Sequence, residues 1–364
     1  MKKIALMSVA DINNYGDIMF PLVMRFEIQK RIPSVEFRFF TPTSRTFCGE
    51  LFYEYTKQNM LEYAPDAIIA AGGEVIHKYD DSVWQRMYKK INFKPSNTFF
   101  DWLDLKCFKS WFSVGALYSN DINLQVNKKE LDCLDSVSVR GILSKKILEH
   151  NQLLEINDKI TLSPDIGWVF SRYIKAINDH KKITEGLSNY VCFSVNETTI
   201  STEELASAIN TLYLFAKQNQ KQIIIFDFAC SYSSLKNVIM ENILDKKDVV
   251  KYLGELEALE IAELLMGCDF YVGSSLHCAV TVLSQSKPAA IIHKKAMTKM
   301  QDLFGHMMFT DLFSTSWGQL DSLLRRLMCF SVEEQLVLSN YVVFMQSMFD
   351  YRLNQLLTKI MERK

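Results

Sequence analysis

The chain reads as an α/β protein with two domains, each built on a parallel sheet. Three observations predict this. At 364 residues it is long for one domain and suits two of ordinary size. In each half, short buried strands alternate with amphipathic helices, the pattern of parallel sheets covered by helices. Between the halves, Ser171 to Asn189 is polar and carries Lys175, Lys181 and Lys182, which suits an inter-domain linker. The expected division is 1–172, then 190–330, then a helical segment over 331–364.

The first strand is expected at Ile4–Val9. Lys2-Lys3 before a short apolar run could suggest a leader, but the run stops at Asp11-Ile12-Asn13-Asn14, so a strand is the better reading. Asn14-Tyr15-Gly16-Asp17 forms the next loop, and Phe20–Lys30 follows as a helix with Leu22, Val23, Phe26 and Ile28 on its apolar positions. Val35–Phe40 closes the βαβ unit. The loop after a first parallel strand is a common ligand position. Gly16 there offers freedom of φ, and Asp17 can either cap the helix or take a proton from a ligand.

Asp66–Glu74 is again strand then turn. Gly72 and Gly73 let backbone approach a ligand or simply pack tightly, and G-x-G-x-x-G is absent, so this is no dinucleotide fingerprint. Trp84 to Trp111 is aromatic and irregular; such rings can stack on sugars or fill a core. Further strands are expected at Ser110–Ala116 and Val137–Arg140, then a helix over Ile142–His150. Arg140, at a strand end, can grip a carboxylate or phosphate with two prongs, or form a structural salt bridge.

The second series runs Tyr190–Val195, helix Thr202–Gln218, strand Gln222–Phe228, helix Ser234–Leu244, strand Val249–Tyr252 and helix Glu257–Met266. Its centre is the stretch from Cys268 to Leu283. Phe270–Val272 reads as a strand, Gly273-Ser274-Ser275 as a turn and Leu276–Ser284 as a helix, before a closing strand at Pro288–Ile292. A strand turning through Gly-Ser-Ser into a helix aims backbone N–H groups and a positive dipole end at one spot. His277 falls beside that spot. The same residues also suit a plain βα corner with a serine cap. The tail from Glu333 is expected as a long helix with Val337, Tyr341, Phe344, Met348 and Tyr351 on its packed face, able to cross back to the first domain.

Composition narrows the classes. A net charge of −1 argues against a general nucleic-acid binder. The eight cysteines are scattered without a Cys-x-x-Cys pair, against a zinc site or disulfide framework and for a reducing, cytoplasmic setting. No run approaches the roughly 18 apolar residues that span a bilayer. Peripheral contact at the inner face of a membrane stays open.

Several of these motifs fall in one order: Asn14-x-Gly16-Asp17, Gly72-Gly73, Val137-x-Val139-Arg140 before a helix with Ser144, Pro164-Asp165, and Gly273-Ser-Ser-Leu-His277 with Lys287-Pro288 beyond. The set resembles the polysaccharide pyruvyl transferase family over roughly Met1 to Ile292. The resemblance implies two Rossmann-like domains in a GT-B-like arrangement. It also implies transfer of a pyruvyl group from phosphoenolpyruvate to sugar hydroxyls, making a ketal on a surface polysaccharide or its lipid-linked precursor. Leu276 and His277 match the family's Arg-Leu-His donor motif, with Ser275 where characterised members carry arginine; Cys278 also departs from the usual glycine or alanine.

Ketal formation needs an acid for the methylene carbon, stabilised cationic character beside it and a base for the attacking hydroxyl. The expected catalytic residues are His277, Asp17 and Glu74. Donor-binding residues are Arg140, Gly273, Ser274, Ser275 and Leu276; acceptor-side loops hold Asn14, Gly16, Gly72 and Gly73. With no arginine beside His277, Arg140, Lys287 or Lys294 must compensate. Neither a metal nor a cofactor is expected beyond the phosphoenolpyruvate co-substrate. The alternatives are a glycosyltransferase using a nucleotide-sugar, and a non-catalytic relative binding a glycan or a partner.

Overall fold

The computed structural model describes residues 1–74, 104–116, 132–150, 160–177, 183–228, 233–295, 298–307 and 309–363. Most of the aromatic segment from Trp84, and Lys181-Lys182, lie outside these. The chain forms two compact units. The first holds Met1–Ile12, Gly16–Ile166 and Met345–Lys364; the second holds Asn13–Tyr15 and Gly167–Phe344.

The first unit begins with β1 (Lys3–Met7), followed by α1 (Tyr15–Arg31) and β2 (Glu36–Thr41). Helix α1 starts five residues earlier than expected, so Gly16 and Asp17 lie in its first turn rather than in a loop. Gly16 has no left-handed φ. An acidic first turn and the basic Lys30-Arg31 last turn both suit the helix dipole. Pro21 lies inside the helix and cannot donate to the Asp17 carbonyl four residues back.

Strands β3 (Arg45–Phe47) and β4 (Glu50–Glu54) form a hairpin that the sequence reading did not anticipate. Its turn residues Cys48 and Gly49 have φ of 50° and 75°, both positive as a tight two-residue hairpin turn requires. After α2 (Lys57–Tyr63) come β5 (Ala67–Ala71), β6 (Phe108–Val114), β7 (Ser136–Val139), α3 (Ile142–His150) and β8 (Ile160–Leu162). The eight strands lie in the order β3-β4-β2-β1-β5-β6-β7-β8, and the β3–β4 hairpin supplies the antiparallel pairing. Trp111, Met7, Phe40, Ile68 and Val137 share the core on one sheet face.

The second unit contains α4 (Phe170–Ala176), β9 (Tyr190–Ser194), α5 (Thr202–Asn219), β10 (Gln222–Asp227), α6 (Ser233–Ile243), β11 (Val250–Glu255) and α7 (Ala258–Gly267). Next are β12 (Phe270–Gly273), α8 (Leu276–Leu283), β13 (Ala289–Ile292), α9 (Thr298–Met307), β14 (Phe313–Ser314) and α10 (Leu320–Met328). Part of the expected linker is therefore helical: α4 buries Phe170 and Tyr173. The six-stranded sheet has the order β11-β10-β9-β12-β13-β14. Ser201 and Glu204 close a capping box on α5, and Glu257 and Glu260 do the same on α7.

Helix α11 (Val332–Glu362) ends the described chain, with its part from Met345 belonging to the first unit. Its packed face differs in part from the expected stripe, of which Tyr341 does pack, meeting Trp168 edge-on at 5.5 Å. Leu338, Val342, Phe349, Leu353, Leu356 and Ile360 are buried, while Val337, Phe344 and Tyr351 are exposed. Both sets have helical spacing, and spacing alone cannot say which faces a core. Among the described residues no helix is long and apolar enough to cross a membrane.

Candidate functional site

In an open parallel sheet the chain leaves a crevice where strand order reverses. In the second unit β9 leads to β10 and β11 on one side, and β12 to β14 lie on the other. The reversal falls between β9 and β12, where Gly273 pairs with Ser194. The Gly273-Ser274-Ser275 turn thus leaves the sheet at its switch point.

That turn is held from below by a buried polar network. Ser274 N donates to Ser194 O at 2.9 Å, and Ser274 Oγ accepts from Asn196 N at 2.7 Å. Tyr271 Oη accepts from Ser275 N at 3.0 Å and lies 2.9 Å from Ser194 Oγ. Burial raises the Tyr271 phenol well above its ordinary pKa, so it stays protonated. Ser275 Oγ caps α8, accepting from Cys278 N at 3.3 Å. Both serine hydroxyls therefore shape the turn. Gly273 carries no side chain because a Cβ would collide with Ser194 O and the Tyr271 hydroxyl.

The turn's remaining offering is the α8 start, with the Leu276 N–H as its first donor and His277 as its second residue. His277 is half-buried, unlike the rest of α8, which is buried throughout. Burial also pushes the Cys278 thiol up to about 12, with Ser275, Ser194 and Tyr271 opposing, so this thiol is no nucleophile near neutral pH.

Asn14 was expected on the acceptor side, with the first domain. The structure groups Asn13–Tyr15 with the second unit instead. Tyr15 N donates to Phe228 O at 3.0 Å, just past β10, and Asn13 Nδ2 donates to Glu255 Oε1 at 2.5 Å, at the end of β11. Tyr15 Oη lies 2.8 Å from Thr281 Oγ1 on α8, and its ring meets Phe170 edge-on at 5.9 Å. Asn14 and His277 thus belong to one unit, while Gly16 and Asp17 belong to the other. Tyr15, Ser194 and Tyr271 escaped the sequence reading; only Tyr15 had a signal, as the unassigned position within Asn14-x-Gly16.

The first unit has its own reversal, between β1 and β5. Gly72 and Gly73 follow β5 with φ of 65° and 73°, and a Cβ on Gly72 would meet the Phe20 ring within 2.8 Å. Glu74 comes next. The Arg140 side chain is 4% exposed, with Nη1 2.9 Å from Asp165 Oδ2 and Nη2 3.7 Å from Glu74 Oε1. Gly115 makes room for it: a Cβ there would lie 2.7 Å from Arg140 Nε. One guanidinium thus faces two carboxylates within the first unit. Asp17 is buried in the first turn of α1.

Of the other cations considered, Lys287 donates to Met266 O and Cys268 O at 2.9 and 2.8 Å, before β12 and so at the far end of that strand from His277. Lys294 follows β13 and pairs with Glu204 at 2.6 Å. His293 precedes it, with Nδ1 2.8 Å from Lys295 O. His293, Lys294 and Lys295 thus follow β13 at the same end of the sheet as His277, with Lys294 paired to Glu204. Among the described residues, no group of three or more His, Cys, Asp or Glu side chains could hold a metal ion.

Two parallel-sheet units, each with a glycine turn at its switch point, define a Rossmann-like α/β protein of the GT-B-like class. The family model for polysaccharide pyruvyl transferase matches residues 14–292, and the chain belongs to that family. No curated protein matches the sequence. Solved structures resemble it in fold at low identity. S. aureus MnaA with UDP has a TM-score of 0.65 at 9% identity, over 93% of this chain and 91% of that one. The Methanocaldococcus jannaschii UDP-GlcNAc 2-epimerase, bound to UDP-GlcNAc and UDP, has 0.61 at 11%, over 99% and 100%. The Neisseria meningitidis UDP-GlcNAc 2-epimerase, bound to UDP-GlcNAc, has 0.61 at 10%, over 99% of each.

Proposed function

We propose that the protein transfers a pyruvyl group from phosphoenolpyruvate to two hydroxyls of a saccharide or lipid-linked saccharide, releasing inorganic phosphate and leaving a cyclic ketal. The observation that carries this is the position of Leu276-His277, the family's donor motif, at the first turn of α8 beside the β9–β12 switch point. The N-terminus of α8 favours a small dianion there. In this reading protonated His277 meets the donor and delivers the proton to its methylene carbon. Positive character then develops at the adjacent carbon, which a sugar oxygen attacks. The carbon–oxygen bond to phosphate breaks, and a second hydroxyl closes the ketal. The two hydroxyl protons leave to a base, for which the sequence offers Asp17 and Glu74 as candidates.

His277→Ala is expected to lower turnover by about 10²-fold or more, the ordinary worth of a general acid. Phosphate release from phosphoenolpyruvate with a saccharide acceptor measures it; unchanged turnover and donor affinity would refute the role. The similarity in fold to enzymes bound to UDP-sugars favours one second reading, a nucleotide-sugar donor. A thermal-shift comparison separates the two: stabilisation by phosphoenolpyruvate but not by UDP or UDP-GlcNAc is expected. Phosphate release would also exclude a purely binding relative.

A further inference from the structure

We propose that Tyr15, acting through Thr281, is a positioning residue for His277. Thr281 Oγ1 donates to the His277 carbonyl oxygen at 2.7 Å, one helical turn back. A hydroxyl has a single proton, so Thr281 has none left for Tyr15. The 2.8 Å contact between Tyr15 Oη and Thr281 Oγ1 must then run from tyrosine to threonine. The relay has one direction: Tyr15 O–H to Thr281 Oγ1, and Thr281 O–H to the His277 carbonyl.

Neither hydroxyl is needed for packing. Tyr15 and Thr281 are both buried, and the Tyr15 ring packs edge-on against Phe170, which a phenylalanine could do equally. Burying a phenol costs free energy unless it is hydrogen-bonded, and here its one donor is spent on α8. Burial raises the Tyr15 pKa well above its ordinary value, with the Thr281 bond opposing, so the proton stays in place. Thr281 sits between Val280 and Val282 on α8, where valine would fill the same volume. Its hydroxyl adds a second donor to the carbonyl of the residue that carries the imidazole, in a helix of only eight residues.

The backbone end of Tyr15 is fixed as well. Its N–H is held by Phe228 O, and the neighbouring Asn13 by Glu255. The relay therefore runs from an anchored segment at the β10 and β11 ends to the first turn of α8. This assigns Asn13–Tyr15 to the donor side, and it gives the motif's middle residue a task that phenylalanine cannot perform.

The assignment deepens the donor reading of His277 and rests on it for its kinetic arm. The test uses the full chain with Tyr15→Phe, the double variant Tyr15→Phe/Thr281→Val, and Thr281→Ser. The double variant leaves no buried hydroxyl without a partner. The Cε1–H resonance of His277, identified by its loss in His277→Ala, is recorded without ligand. Turnover is then measured with phosphoenolpyruvate and a saccharide acceptor. Tyr15→Phe and the double variant are expected to shift or broaden that resonance. They should also lower kcat roughly tenfold, the worth of one hydrogen bond of ordinary net strength, with the acceptor KM unchanged. Thr281→Ser, which keeps the hydroxyl, should leave both as in the wild type. A resonance unmoved in Tyr15→Phe, with kcat within twofold of wild type, would overturn the proposal. So would a fall in activity that tracks only a fall in melting temperature. If the wild type released no phosphate from phosphoenolpyruvate, the donor reading would fail, while the ligand-free resonance would still decide the positioning role.

Discussion

Gly273 is the residue on which the candidate site turns, because its hydrogen faces both Ser194 O and the Tyr271 hydroxyl. The carbonyl is backbone in a central strand and cannot move without shifting β9. Gly273→Ala is therefore expected to destabilise by about 1–3 kcal/mol or more, as overpacking does, and a denaturant melt would show it. Asp227, at the end of β10, carries a pH dependence. Burial is the largest influence and raises its carboxyl above the usual range. The 2.7 Å bond from the Tyr252 hydroxyl opposes, and Glu255 adds to the rise. The folded state then binds the proton more readily than the unfolded chain, so stability falls as pH rises from the unfolded pKa, about 4, through the folded one. Asp227→Asn keeps an acceptor for Tyr252 without that charge. Its melting temperature should match wild type in acid and exceed it above that window; a gap widest in acid would contradict the assignment. The sequence marked His277 and its turn as a candidate because a strand running through Gly-Ser-Ser into a helix is a clear helix-start signal. It hid Ser194 and Tyr271, because a hydroxyl on a strand reveals a partner only when the neighbouring strand is known.

At the level of elements, strand and helix positions were legible wherever period and punctuation agreed: Ile142–His150 matches α3, and most strands of the second half fall within a residue or two. The β3–β4 hairpin was missed because its turn is Cys48-Gly49, a pair without the usual Asn or Asp signal. The long C-terminal helix shows a different limit. Phe344 and Phe349 both lie on apolar stripes, yet Phe344 is 56% exposed and Phe349 fully buried, its ring 5.8 Å from Phe112. Phe349→Ala is expected to cost about 3–5 kcal/mol through lost transfer energy and a cavity, and Phe344→Ala about 0.5 kcal/mol or less. Equal costs in chemical denaturation would mean that the packed face has been misassigned.

For the whole molecule, alternation of strand and helix predicts two parallel-sheet units but not which segments compose each. The chain passes from first unit to second at Asn13, returns at Gly16, leaves again at Gly167 and returns at Met345. Such returns depend on long-range packing; the sequence anticipated that of the C-terminal helix but not that of Asn13–Tyr15. They have a consequence for folding. Residues 345–364 bring Leu353, Leu356, Leu357 and Ile360 into burial beside Phe349. Polar ties also hold this segment within the first unit. Arg31 reaches Asp350 and Asn354 at 2.5 and 2.9 Å, and Arg352 Nε donates to Leu162 O at 2.8 Å. Burying each large apolar side chain contributes roughly 1.5–3 kcal/mol, so five of them rival the 5–15 kcal/mol that keeps a typical domain folded. A chain ended at Phe344 should therefore lose the first unit's cooperative transition in calorimetry while His277 and its turn keep their sequence intact. Adding residues 345–364 as a separate peptide should restore part of that transition by mass action, in proportion to peptide concentration. A shortened chain that melts like the full one would show that the sheet carries its own stability and the returning helix only covers it.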